Sequence, residues 1–418
     1  MADTWITGHP EIVGMSSEGL ERVTALVRRY VELGRYPGAV SMIARRDQVV
    51  QFETCGSMDV ERHKPMRPDT VFRIYSMTRP IVSLGLMMLY EHGLFQLDDP
   101  VATFLPELGA LKVFAGGDAD SFEVRDPARQ MTVRDLLMHT SGLAAYNSAT
   151  PVGELYRRAG LGDPDSTGTL AELPGRLAGI PLQADPGSRW IYGISTDLVG
   201  LLCEVLSGMP LDRYLEERIF APLGMVDTGF SVPAAAIDRF AAGYSFRDGN
   251  PAYELADDPR TSDYTRPRPF LSGAAGLVST AGDYLRFCRM LAGGGVLDGV
   301  RIIGPRTLRF MTTNHLPGGQ DLAGMGGMGG MGGMADFGGE TRREGQGFGL
   351  GFGVLLDQTT AQTIGTAGEI FWGGAASTAF FVCPAEELIV IFLTQLRPSA
   401  SYPIRRELRA TVYASIID

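Results

Sequence analysis

Ser76 and Arg79 stand three residues apart in the stretch YSMTR. On a helix, positions i and i+3 share a face, so both side chains can enter one cleft. A serine hydroxyl becomes a nucleophile when a nearby base takes its proton and when donors wait for the oxyanion that its attack creates. A lysine at 79 would be a tunable base, whereas arginine keeps its proton to about pH 12 and acts as a fixed cation. Tyrosine is the remaining candidate for the base. Tyr192, in PGSRWIYGISTDLVG, comes just before a predicted helix. An ordinary tyrosine is only about one part in a thousand phenolate at neutral pH, and a neighbouring arginine favours that form. On this reading Ser76 attacks, Tyr192 takes the proton and Arg79 tunes the base. Tyr146, in YNS, is a weaker rival for the role of Tyr192.

Other chemistries find less support. GISTD at Gly193 lacks the second glycine of the GxSxG elbow. The five histidines show no HExxH or other ligand spacing, and His139, in LLMHTSGL, reads as a turn or cap residue. No metal and no cofactor are therefore expected. Four cysteines are scattered singly among apolar neighbours and read as buried thiols. A net charge of −11 with no basic stripe argues against nucleic acid. No apolar run approaches the roughly 20 residues of a membrane span, and the N-terminus has no secretory pattern, so the expected setting is cytoplasmic. Only Lys64 and Lys112 among the 37 basic residues are lysines. An arginine at 79 suits that usage, and composition leaves open whether it is native or introduced.

The elements that must position these residues follow from periodicity. Ser17 to Leu33 predicts an amphipathic helix behind a serine cap, with Gly34 as its stop. GAVSMIARRDQVVQFETCG predicts an antiparallel hairpin turning near Arg45–Asp47, and TVFRIY a short strand leading to Ser76. Pro80 to Glu91 is apolar nearly all round and predicts a buried helix. Ser76 then lies at its start, where free N–H groups and the helix dipole favour an oxyanion. TVRDLLMHTSGL, STDLVGLLCEVLSG and LDRYLEERIFAPLG predict further helices. GFGLGFGVLL, STAFFVCP and ELIVIFLTQ predict strands, before a closing helix in YPIRRELRATVYASII. Strands at both ends imply a discontinuous α/β domain, residues 1–78 and 270–418. A mainly helical domain, 79–269, would be inserted into it, with the active site in the cleft between them. Gly324 to Gly339, a glycine–methionine repeat, reads as a flexible loop or as an adaptable apolar flap.

The ordered set SMTR, DLLMHTSGL, WIYGISTDLVG, GFGLGFGV and FWGGAASTAFFVCPAEELIVIFLTQ resembles the class C β-lactamase-like serine hydrolases, most closely the family VIII carboxylesterases. The resemblance runs from about Gly38 to Gln395. It implies a β-lactamase/penicillin-binding-protein-like fold, an antiparallel sheet flanked by helices. It makes Ser76 the acylated nucleophile and Tyr192 the tyrosine of the family's YxN or YSx element, and it puts Arg79 in the place of the family lysine. Trp372-Gly373-Gly374 takes the place of the KTG triad, and the N–H groups of Ser76 and Ala375 would form the oxyanion hole. Trp372, Gly373, Gly374, Ile194 and Tyr75 would bind substrate. Ile194 and Trp372 stand where lactamases carry Asn and Lys, so weak lactamase activity is expected. The implied function is a carboxylesterase for short or medium acyl esters, with a small-molecule substrate. The alternatives are an acyltransferase and a catalytically weak ligand-binding member with Arg79 as a carboxylate anchor. The oligomeric state is not legible.

Overall fold

The computed structural model describes residues 6–145, 148–162, 167–326 and 344–418. Its centre is an eight-stranded antiparallel sheet drawn from both ends of the chain. The N-terminal strands are β1 (Gly38–Arg45), β2 (Gln48–Asp59) and β3 (Lys64–Pro65). The C-terminal ones are β4 (Gln346–Phe348), β5 (Gly353–Leu355), β6 (Ile370–Gly373), β7 (Ala379–Cys383) and β8 (Leu388–Leu393). Their order is β4-β5-β6-β7-β8-β1-β2-β3. Arg46 and Asp47 join β1 to β2 with positive φ at both positions, the geometry that a tight hairpin requires.

Period-2 alternation sorts the core into two layers. Along β8, Ile389, Ile391 and Leu393 face one apolar cluster, and Leu388, Val390 and Phe392 face the other. Helices α1 (Ser17–Glu32) and α6 (Ile404–Tyr413) cover the second face. Ser16 caps α1 by accepting from the Gly19 N–H at 3.1 Å, as the sequence predicts. On the first face α2 (Thr78–Glu91) is buried almost throughout and packs on α4 (Ser195–Ser207), while α5 (Ala281–Ala292) lies against β8. Residues 79–269 combine helices and short helical turns with two hairpins, Val113–Gly117 with Phe122–Arg125 and Gly243–Phe246 with Tyr253–Asp257, and Gly243–Phe246 also pairs in parallel with Leu396–Arg397 of the C-terminal part of the chain.

Two predicted elements are shorter than the sequence suggests, for local reasons. In TVFRIY only Phe72–Arg73 is a strand, and it pairs with Val278–Ser279 outside the main sheet. Arg73 is wholly buried, 2.7 Å from the Asp257 carboxylate and with its guanidinium 3.9 Å from the centre of the Phe240 ring. That anchor holds the chain where it leaves the strand. In TVRDLLMHTSGL the helix is α3 (Val133–Leu137), opened by a Thr132–Asp135 capping box and ended by His139 at φ +60°. Cys203, Cys288 and Cys383 are buried and Cys55 half-buried, and all four are free thiols. Among the described residues no helix is long and apolar enough to cross a membrane, and no cluster of His, Cys, Asp and Glu could hold a metal ion.

One buried carboxyl makes stability depend on pH. Asp283, in the first turn of α5, accepts from the Asp227 N–H at 2.7 Å and the Thr228 hydroxyl at 2.9 Å. Burial nevertheless dominates and pushes its pKa up to about 6. Because the folded state holds this proton more tightly than the unfolded chain does, stability falls as pH rises from about 4 to about 6. Asp283→Asn is expected to remove one proton's worth of that slope. At pH 7 it should recover at most about 3 kcal/mol, as read from urea unfolding between pH 4 and 7.

Candidate active site

Ser76 lies in a 3-10 turn, Tyr75–Met77, between the Phe72–Arg73 strand and α2. It is half-buried and two residues ahead of the first α-helical residue, Thr78, rather than inside the helix. Tyr75 sits at φ +43°, an uncommon conformation for a bulky residue that persists only where the surroundings hold it. The Ile74 N–H donates to Leu277 O at 3.1 Å, the Met77 N–H to Ile74 O at 3.0 Å, and the Tyr284 hydroxyl to Met77 O at 3.1 Å. The turn is thus pinned on both sides of the serine.

The end of β6 comes to this turn because Gly374 lets it. A Cβ on Gly374 would lie 2.4 Å from Ile74 O and 2.3 Å from the Thr378 Oγ1. A Cβ on Gly373 would meet the Arg405 guanidinium at 2.6 Å. The Gly374 N–H closes the turn onto Thr378 O at 2.9 Å. Ala375, the next residue, makes no backbone hydrogen bond through its N–H among the described residues. Its amide is free to serve as a donor beside the serine turn.

Tyr192 precedes α4 and is buried in an aromatic cluster. Its ring stacks on Trp190, with centroids 5.6 Å apart, and meets Trp372 at 5.3 Å and His139 at 4.9 Å. The Trp372 Nε1–H donates to the Tyr192 hydroxyl oxygen at 3.1 Å. Arg79 lies beneath, its guanidinium carbon 4.1 Å from the centre of the Tyr192 ring. Its Nη1 donates to Gly193 O and to the Thr196 hydroxyl, both at 2.8 Å. The cation neighbours Tyr192 through its ring face and is tied to the start of α4. It is buried and, among the described residues, has no ion-pair partner. Asp197, on α4, is the acid that feels its charge, but its carboxylate accepts from the Ser272 hydroxyl at 2.8 Å. Burial pushes the Asp197 pKa up.

Ile194 directly precedes α4 and its side chain belongs to the main apolar core. Tyr75 is buried, with the Arg397 guanidinium 5.7 Å from its ring centre. Tyr146 and residues 327–339 of the glycine–methionine repeat lie outside the described residues. The first part of the repeat is described: Met325 is buried in the Trp190–Tyr192–Phe348 cluster, and its carbonyl accepts from the Trp190 N–H at 3.1 Å. The sequence reads His139 as a turn or cap residue rather than a base. It does turn the chain, and its imidazole also packs edge-on against Trp190, Tyr192 and Phe348. Burial first, and the Arg79 charge second, hold its pKa well below the usual range, so it is neutral. The HTSGL segment was the signal for it.

The Beta-lactamase family profile matches residues 23–414. The chain belongs to the beta-lactamase family. Like its family, this beta-lactamase-family chain is a serine hydrolase, with helices packed on an antiparallel sheet in the manner of penicillin-binding proteins. Esterase EstB of Burkholderia gladioli is 33% identical over 412 residues, covering 94% of this chain and 95% of EstB. Among solved structures, EstCE1, a hydrolase with promiscuous acyltransferase activity, superposes with a TM-score of 0.78 at 28% identity, covering 94% of this chain and 98% of EstCE1. Simvastatin Synthase (LovD) from Aspergillus terreus gives 0.79 at 25%, covering 96% of this chain and 98% of LovD.

Proposed function

We propose that this protein is a carboxylesterase that hydrolyses short or medium acyl esters through an acyl-enzyme on Ser76. The hydrogen bond from the Trp372 indole to the Tyr192 hydroxyl oxygen carries the reading. That donor and the Arg79 cation on the ring face both attract negative charge toward Tyr192. Tyr192, reacting as the phenolate, takes the Ser76 proton as Oγ bonds to the ester carbonyl carbon. The N–H groups of Ser76 and Ala375 receive the oxyanion, and the departing alkoxide leaves with the proton from Tyr192. Water then attacks the acyl carbonyl by the same route and frees Ser76 and the acid. Trp372 presents apolar surface where a lactam carboxylate would need charge, which favours uncharged esters over β-lactams. EstB supports hydrolysis of esters, and no metal or cofactor enters the scheme.

Acyl transfer is the second reading, favoured by the likeness to EstCE1. It differs only in the nucleophile of the second half-reaction. Intact-protein mass spectrometry after mixing with p-nitrophenyl butyrate tests both. The expected result is a butyryl adduct on the native protein and none on Ser76→Ala, with nitrophenol released in step. A butyryl ester of an added alcohol would mark transfer, and saturable binding without adduct would overturn catalysis altogether. Arg79→Lys adds a tunable base that can still reach Gly193 O and Thr196, so acylation should speed up roughly tenfold in stopped-flow nitrophenol release.

A further inference from the structure

We infer that Arg405, on α6 behind the sheet, is a positioning residue for the oxyanion hole: it grips the carbonyl end of the peptide whose N–H faces the reacting oxygen. The inference rests on the proposed acyl-enzyme at Ser76 with Ala375 as oxyanion donor. Arg405 Nη2 donates to Gly374 O at 3.0 Å and to Thr378 O at 2.8 Å. Gly374 C=O and Ala375 N–H belong to one peptide unit. Because that unit is planar and trans, its carbonyl and its N–H point in opposite directions. A guanidinium that holds the oxygen therefore sets the direction of the N–H.

The same contact has an electronic effect. A cation on the carbonyl oxygen draws charge through the amide, which makes its N–H a stronger donor toward a developing negative oxygen. Arg405 also clasps both carbonyls at the neck of the 374–378 turn, whose own closing bond runs from the Gly374 N–H to Thr378 O. A Cβ on Gly373 would collide with the guanidinium at 2.6 Å and with the Thr378 backbone O at 2.7 Å, which explains the first glycine of the WGG triplet. Contact of Gly374 with Ile74 O explains the second. The two glycines thus serve opposite sides of one strand end, the cation behind and the serine turn in front.

The oxyanion carries its full charge only in the transition state, so loss of Arg405 should lower kcat and leave KM nearly unchanged. Arg405→Met removes the donor and keeps the stem; Arg405→Lys restores a cation able to reach one carbonyl. With p-nitrophenyl butyrate, Arg405→Met is expected to lose about tenfold to a hundredfold in kcat. KM should stay within about twofold, and Arg405→Lys should recover part of the rate. In the butyryl-enzyme, the infrared carbonyl stretch of the Ser76 ester should move to higher wavenumber in Arg405→Met, as a weakened donor polarises that carbonyl less. Unchanged kcat, or a rate loss that follows the folded fraction measured by circular dichroism while the acyl carbonyl band stays put, would overturn the inference. If Arg405→Met does not fold, Arg405→Gln, which removes the cation, takes its place under the same criterion. Absence of any adduct on the native protein would overturn the esterase reading and this inference together, whereas an adduct with an unmoved band removes this inference alone.

Discussion

Ser76→Ala is expected to abolish acylation and to lower the turnover of p-nitrophenyl butyrate by at least about 10³-fold, with little change in Tm. The two halves of that expectation have separate physical origins. Catalysis is lost because no other nucleophile enters the scheme, and residual hydrolysis would come from binding and the oxyanion donors alone. Stability is kept because the turn around Ser76 is held by backbone bonds of Ile74 and Met77 and by the Tyr284 hydroxyl, not by the serine side chain. Thermal melts run beside the kinetics separate the two. A variant that keeps its rate would place the nucleophile elsewhere, and one that melts far below the native protein would make Ser76 a structural residue.

Tyr192→Phe should lower kcat by about 10²- to 10⁴-fold, the usual contribution of a general base. The phenyl ring keeps the stack on Trp190 and the contacts with Arg79 and His139, so the aromatic cluster stays filled. What disappears is one oxygen, and with it the acceptor of the Trp372 Nε1–H. Trp372 is only half-buried, so water can take over that donor and the stability cost should stay near 1 kcal/mol. Trp372→Phe is the matching control: it removes the donor while preserving an aromatic wall, and its effect on kcat should fall between those of native and Tyr192→Phe. Equal activity of Tyr192→Phe and native protein, measured as initial rates across pH 6–9, would dismiss Tyr192 as the base.

Much of the scaffold was legible because its signals are local. The serine cap, the helix of α1, the hairpin turn near Arg45–Asp47 and the short continuous apolar run of β8 all follow from period and punctuation. Elements governed by distant partners were less legible. TVFRIY has strand composition along its length, but Arg73 and the left-handed Tyr75 end the strand early, and nothing within six residues announces Asp257 or Phe240 as partners of Arg73. His139 likewise carries a readable turn and an unreadable role, since the rings it meets come from positions 190, 192 and 348.

The family resemblance singled out the WGG triplet, and the sequence by itself determined the rest of the candidate chemistry: a serine beside a cation that cannot serve as a base, a tyrosine before a helix, and no metal-ligand spacing. These are properties of residue type and short spacing, which pKa and side-chain reach constrain without a fold. Only the tertiary structure decided how the parts face each other. It put Arg79 on the ring face of Tyr192 rather than at its oxygen, gave that oxygen the Trp372 indole as donor, and set Arg405 behind the peptide that carries the Ala375 N–H. Each of these contacts joins residues more than thirty positions apart. Their direction depends on the packing of α2, α4 and α6 around one sheet, which no local pattern encodes.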